Sequence, residues 1–210
     1  MAVWRGSTSD LQINHPVAYG AAYIVQEYSK RARYQTCMAS KLHPDFVDAG
    51  YTAVHSHAPG LVDFVKDLLK GGMSPGEQMN YKYILILDGW SCTYPAYISR
   101  LASNSVVFKQ NSHNIQWFYD ALIPYVHYVP INYDASNFIE MVDWARRNDE
   151  KCMEIAENAT DFAVNNLRSE HNFHYLKLVL EKYNSLQNFD LPSLDEEMKL
   201  SSDWMCVFSD

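Results

Sequence analysis

Residues Tyr81 to Asp88 read YKYILILD, a short apolar run rich in aromatic and β-branched side chains with Lys82 near one end and Asp88 at the other. That composition predicts a strand buried on both faces, as in the middle of a parallel sheet. Upstream, Leu61, Phe64, Val65 and Leu68 fall at helical spacing behind Pro59, and Gly71 and Gly72 close the segment. Met73 to Asn80, with Ser74, Pro75 and Gly76, reads as a loop delivering the chain into the strand. Downstream, Ala96 to Ala102 has helical character, SVVFKQ at Ser105 to Gln110 is a second strand, NIQWFYDAL is helix-like, and VHYVPI at Val126 to Ile131 is a third extended run. Strands alternating with helices predict an α/β fold with a Rossmann-like parallel sheet. Pro130 suits a strand end better than its middle.

From Asp134 onward the pattern is helical. Phe138, Met141, Val142 and Ala145 form one apolar face, Cys152, Ile155, Ala156, Ala159, Phe162 and Ala163 a second, and Phe173, Leu176, Leu180 and Tyr183 a third, with Ser169 as N-cap of the last. Residues 1–189 therefore read as one domain with a helical carboxyl-terminal region, and 190–210 as a tail without assigned structure.

A formal net charge of -8 argues against a nucleic-acid partner. Cys37, Cys92, Cys152 and Cys206 form no CxxC pair, so neither a zinc site nor a disulfide framework is implied. The longest apolar run, Tyr83 to Leu87, is far too short to span a membrane. The opening MAVWRGSTSD lacks the basic start and apolar stretch of a signal peptide.

The strand end at Asp88 and Gly89, followed by Ser91, Cys92 and Thr93 at a helix start, is where parallel α/β folds place ligands. Amides and hydroxyls there suit phosphate or another anion. The plainer alternative, of equal weight on the residues alone, is that Gly89 makes a turn and Thr93 caps a helix. Gly89, Trp90 and Ser91 open a GxSxG-like turn, but Thr93 replaces the closing glycine, which argues against a serine hydrolase. Cys92 as a thiolate nucleophile has no identifiable His partner. His55 with His57, and His171 with His174, each lack a third metal ligand at characteristic spacing. Lys30, Arg31 and Arg33 form a basic cluster in a helical stretch beginning near Ala21, more often a solvated face than a phosphate clamp. His127 and Tyr128 sit beside a strand and are candidates to hold a base or sugar, against a packed Tyr and a satisfied His.

Four blocks, YKYILILDG, SNSVVFKQ, WFYDALIPYVHYVPI and WARRNDEKCMEIAENATDFAVNNL, resemble in order and spacing the capsule-associated glycosyltransferase family that includes the Rumi-type protein O-glucosyltransferases and the KDEL-motif-containing transferases. WRGSTS at Trp4 to Ser9 and HPDFVDAGYT at His43 to Thr52 look like two further family segments, so the resemblance runs from Trp4 to about Phe189.

The resemblance implies an inverting transferase of the GT-B type, in which a sugar passes from UDP to a Ser hydroxyl of a folded acceptor domain in the endoplasmic reticulum or another secretory compartment. It implies that the carboxyl-terminal, nucleotide-binding half is present here. It places Arg5 and Ser7 beside the donor, the diphosphate on Gly89, Trp90, Ser91, Cys92, Thr93 and Tyr94, and the nucleotide along Val126, His127, Tyr128 and Pro130. No metal or other cofactor is expected, since such enzymes hold the diphosphate with helix ends and basic groups and no Asp-x-Asp occurs. The family's base, an Asp, comes from a half that precedes the WRG segment, and only three residues precede Trp4, so no catalytic residue is assigned. Pro95 stands where the family loop has Arg, which makes Arg100 the candidate substitute. No KDEL-like tail follows VFSD. The expectation is a donor-binding half that binds UDP weakly and transfers little sugar. The competing reading is a non-catalytic module that keeps a nucleotide-sugar or acceptor surface.

Overall fold

The structure is a computed structural model that describes residues 1–10, 20–55, 60–93 and 96–187. The chain divides into two compact units, Met1–Arg168 and Ser169–Asp210. The first is built on a five-stranded sheet: β1 Ala2–Ser7, β2 Val47–Ala53, β3 Tyr83–Ile86, β4 Val106–Gln110 and β5 Val129–Ile131, in the order β2-β1-β3-β4-β5. Every ladder is parallel. The chain steps outward from β1 to β2, crosses back over β1, and builds the other three strands on the far side, so the winding reverses between β1 and β3. Helices α1 (Ala21–Ser29) and α2 (Ala32–Leu42) follow β1, and α3 (Leu61–Val65) and α4 (Pro75–Gln78) follow β2. Helix α5 (Ala96–Leu101) joins β3 to β4, while α6 (Phe138–Arg147) and α7 (Asp149–Asn166) follow β5. The expected α/β, Rossmann-like architecture is the one observed.

The YKYILILD run forms the strand expected of it, buried from Tyr83 through Asp88. Alternation divides it between two cores. Tyr83, Leu85 and Leu87 join Val106 and Phe108 against Tyr28, Cys37, Phe138 and Val142; Ile86 and Val107 pack with Tyr97, Leu101, Ala159 and Ala163 on the other side. Phe108 anchors the first core, edge-on to Tyr83 at 5.7 Å and to Phe138 at 6.0 Å.

Four expectations are corrected. The extended run at 126–131 is a strand only over Val129–Ile131, because Tyr125 is left-handed (φ 59) and His127 N–H bonds back to Ile123 O, folding the preceding residues into a turn. Pro130 sits in the middle of this strand rather than at its end, tolerated because β5 is an edge. NIQWFYDAL forms only a 3₁₀ turn at Tyr119–Ala121, whose flanking Phe118 and Leu122 fill the second core. Met73 to Asn80 is not all loop. Ser74 and Glu77 make a full capping box around α4. Two strands, β1 and β2, escaped the sequence reading, although β2 alternates buried Val47, Ala49 and Tyr51 with half-exposed Asp48 and exposed Thr52.

The outer edge beyond β1 is tied by an ion cluster. Arg5 bonds Asp48 Oδ2 at 2.8 Å, and Lys70 bonds Asp48 Oδ1 at 2.7 Å. Burial pushes the Asp48 carboxyl up, but the Arg5 and Lys70 bonds outweigh it and hold the group below its ordinary value. A carboxyl depressed in the folded state stabilises above its unfolded pKa and loses that contribution as the pH falls through the folded one. Asp48→Asn is therefore expected to cost about 1 to 2 kcal/mol at pH 7, a difference that shrinks as the pH drops below about 4. Urea unfolding of both proteins across that range measures it.

In the second unit, the expected last helix is α8 (Ser169–Ser185). Its expected apolar face is exposed: Phe173, Leu176, Leu180 and Tyr183 all lie open. The tail at 190–210 lies outside the described residues. Among the described residues no helix is long and apolar enough to cross a membrane.

Candidate functional site

Parallel strands bring their carboxyl ends to one edge, and the reversal between β1 and β3 opens a cleft there. Arg33, in the first turn of α2 and buried, lies across the floor of this cleft. Its Nε donates to Asp88 O (2.9 Å), Nη2 to Leu87 O (3.0 Å), and Nη1 to Ser7 O (2.7 Å) and Ser9 Oγ (2.9 Å). The guanidinium also lies over the Trp4 ring, 5.4 Å from its centre. One side chain thus staples the ends of the two strands that border the switch point. Gly89 passes so close that a Cβ there would meet Arg33 Nη2 at 2.9 Å and Ser9 Oγ at 2.9 Å, which is the physical reason for a glycine at this turn.

Asp88 organises the loops above. Its Oδ1 accepts the Thr93 amide (3.2 Å), and its Oδ2 accepts the Ser112 hydroxyl and the Asn114 amide (3.1 Å). Its own N–H donates to Gln110 Oε1 at 2.9 Å, and Gln110 in turn donates to Tyr133 O. The Thr93 hydroxyl donates to Leu87 O at 3.0 Å, folding the β3–α5 loop back over the strand end. Asp10, Arg31, Ala32, Ser112, Asn114 and Tyr133 complete the cleft wall. Arg31 is at its rim, 3.5 Å from the Tyr133 hydroxyl.

Of the residues expected around one donor site, Ser7, Gly89 and Thr93 converge, and Ser91 joins them through its carbonyl, which accepts Gly89 N–H at 3.0 Å. Trp90 is exposed beside them, its ring 6.2 Å from that of His55. Cys92 is half-buried under the Gln116 amide. Tyr94 and Pro95 lie outside the described residues, as does His57.

The remaining candidates are not brought there. Arg5 points to the β2 side, committed to Asp48 and to Gly71 O at 3.2 Å. Arg100 is buried at the opposite edge, bonded to Ser99 and Gln78, because α5 runs antiparallel to the strands and its last turn returns to their amino ends. Val126, His127 and Tyr128 precede β5, whose Val129 pairs with Phe108, so they lie at the amino side of the sheet. His127 Nδ1 accepts Ile123 N–H there at 3.0 Å, its ring 5.1 Å from Phe162, and burial lowers its pKa. Pro130 pairs with Lys109 inside the sheet, and Tyr133, two residues past β5, is what reaches the cleft.

Charge is sparse in the cleft. Helix α5 has six residues, so its dipole is small. Lys109 is buried on the other face under the Tyr119 ring, 4.4 Å away; burial pushes its pKa down against the pull of Asp88 and Cys92. Among the described residues no three His, Cys, Asp or Glu side chains gather to hold a metal. The sequence reading missed Arg33, Asp10, Gln110, Ser112 and Asn114. The polar run Gln110 to Asn114 directly after an apolar strand was the available signal, as was the basic cluster containing Arg33.

Comparison with known proteins gives several relatives. "Protein O-glucosyltransferase 3" of Homo sapiens is 33% identical over 172 residues, covering 82% of this chain and 33% of the relative. "Protein O-glucosyltransferase 2" of Danio rerio is 38% identical over 108 residues, 51% of this chain and 21% of the relative. "Protein O-glucosyltransferase 1" of Bos taurus is 25% identical over 170 residues, 81% and 43%. The chain thus spans less than half the length of each of these relatives. Among solved structures, TarM covers 88% of this chain, which covers 35% of TarM, at 12% identity and a TM-score of 0.47, too distant a likeness to carry more than that. The family described as Glycosyl transferase family 90 matches residues 16–209, nearly the whole sequence and both units. On that match, the chain belongs to glycosyl transferase family 90.

Proposed function

We propose that the cleft between the carboxyl ends of β1 and β3 binds a UDP-sugar, and that this chain is the donor-binding part of a glycosyltransferase of the GT-B type acting on a serine hydroxyl of a protein acceptor. One observation supports the reading most: Ser7, Gly89 and Thr93, far apart in sequence, meet at the topological switch point of the sheet, on a floor locked by Arg33. Family membership and the names of the relatives support a sugar donor as the ligand of that cleft. In transfer, the bond between the sugar carbon and the diphosphate oxygen breaks as the serine oxygen bonds that carbon, UDP leaves with the electron pair, and the serine proton passes to a carboxylate base, which on family resemblance lies outside this chain. The part of this chain is to hold and orient the donor. The proposal includes no metal, since both Asp88 oxygens are already engaged by protein donors and the sequence has no Asp-x-Asp. It places the protein in the secretory pathway, on resemblance alone.

A second reading, a nucleotide-sugar or acceptor-binding protein without turnover, draws on the charge balance: Asp10 and Asp88 line the cleft with Arg31 at its rim, the Arg33 guanidinium in the floor is committed to backbone carbonyls and Ser9, and Lys109 and Arg100 face elsewhere. A diphosphate gains little compensation there, so binding is expected to be weak, with a dissociation constant on the order of 0.1 to 1 mM. Calorimetric titration of UDP-glucose, UDP and uridine into the whole chain tests both readings. Binding of UDP-glucose displaced by UDP supports the first, and UDP binding no tighter than uridine favours the second. Absence of any binding at millimolar donor overturns the first reading and the nucleotide-sugar form of the second.

A further inference from the structure

The cleft contains two carboxylates in opposite states. Asp88 is fully engaged, while Asp10 is half engaged: its Oδ1 accepts the Tyr28 hydroxyl at 2.9 Å, and its Oδ2 is buried with no hydrogen-bond partner. Among the described residues seven buried side-chain atoms lack a partner, and Asp10 Oδ2 is the one that belongs to a residue of the cleft wall, where a ligand group can complete its bonding. Asp10 follows β1 by three residues and lines the cleft with Ala32, Gly89 and Tyr133.

The surroundings select the kind of donor. The Arg33 guanidinium acts on Asp10 by direct attraction, which disfavours a second cation beside it. The rest of the wall offers hydroxyls and amides, from Ser112, Tyr133 and Asn114. A neutral hydroxyl fits this setting. Resting on the reading of the cleft as a sugar-nucleotide site, we propose that Asp10 Oδ2 is the acceptor for a hydroxyl of the bound donor, with Tyr28 holding the carboxyl in place from behind. The hydroxyl belongs either to the ribose or to the transferred sugar. Burial pushes the Asp10 carboxyl up against the pull of Arg33, Tyr28 and the backbone N–H groups of Asp10 and Arg33, so the carboxyl is held at a net cost in the unliganded protein.

The test compares the unaltered chain with Asp10→Asn and Asp10→Ala, using UDP-glucose, UDP and 2′,3′-dideoxy-UDP as probes in calorimetry, with thermal unfolding of the unliganded proteins alongside. Asp10→Asn is isosteric and is expected to keep or raise the unliganded midpoint, because it removes a buried charge. It is expected to weaken the affected ligand about ten- to hundredfold, the range of a charge-assisted hydrogen bond. Loss for UDP-glucose with UDP unchanged assigns the contact to the transferred sugar. Equal loss for UDP-glucose and UDP, with the dideoxy nucleotide binding all three proteins alike, assigns it to the ribose. Unchanged binding of every probe to Asp10→Asn and Asp10→Ala overturns the inference alone, as does a lowered midpoint of Asp10→Asn with equal loss of all probes, which marks a structural role. If the unaltered chain binds no probe, the function reading falls and takes the inference with it.

Discussion

Replacing Arg33 by methionine is expected to lower unfolding stability by about 3 to 4 kcal/mol, an effect reserved for breaking a buried polar network. Methionine fills most of the same volume, so the loss isolates the hydrogen bonds. Without the guanidinium, the buried carbonyl of Asp88 and the half-buried carbonyl of Ser7 lose this donor, and the carbonyl of Leu87 keeps only the Thr93 hydroxyl. Arg33→Lys is expected to recover less than half, because a single ammonium cannot span acceptors on two different strands. Urea midpoints at constant slope measure the effect. Donor binding should vanish in both variants, since the ends of β1 and β3 are no longer held in register. A methionine variant within about 1 kcal/mol of the parent would show that the staple is incidental.

Asp88→Ala is expected to cost about 2 to 4 kcal/mol and to free both loops above the cleft, since one carboxylate anchors the Thr93 amide on one side and Ser112 with Asn114 on the other. Asp88→Asn should cost about 1 kcal/mol, because it keeps one acceptor while the Ser112 hydroxyl and the Asn114 amide can turn to meet its new donor. Amide hydrogen exchange separates this from general destabilisation. The Thr93 amide should lose its protection in the alanine variant while the β4 amides, bonded within the sheet, keep most of theirs. Equal loss at both places would mean that Asp88 supports the fold as a whole rather than the loops.

The sheet was legible where strands are buried on both faces, because Tyr83 to Leu87 and Val106 to Phe108 must be apolar at every position. β1 was not, since it is apolar only over Ala2, Val3 and Trp4 and then turns polar as it runs out into the cleft. Strand-end logic found Gly89 and Thr93, whose roles depend on local backbone. It did not find Arg33, Asp10 or Gln110, whose roles depend on which strands are neighbours, and the order β2-β1-β3 is invisible in a linear pattern. His127 was misplaced because it came with the family resemblance and not with a strand end: it precedes β5, on the amino side, and the turn at Tyr125 removes it from the strand.

The position of β1 inside the sheet, between β2 and β3, also sets an order of events during synthesis. Val3 pairs with Asp48 on one side and with Ile84 on the other. β1 therefore cannot be flanked on both sides until the segment around Ile84 has been made. At about 5 to 20 residues per second, that is a wait of roughly 4 to 16 s, during which Val3 and Trp4 have no sheet to enter. Parallel pairing across such separations is slow even once all the strands exist. Slowing synthesis between β1 and Ile84 is therefore expected to increase aggregation more than slowing it afterwards.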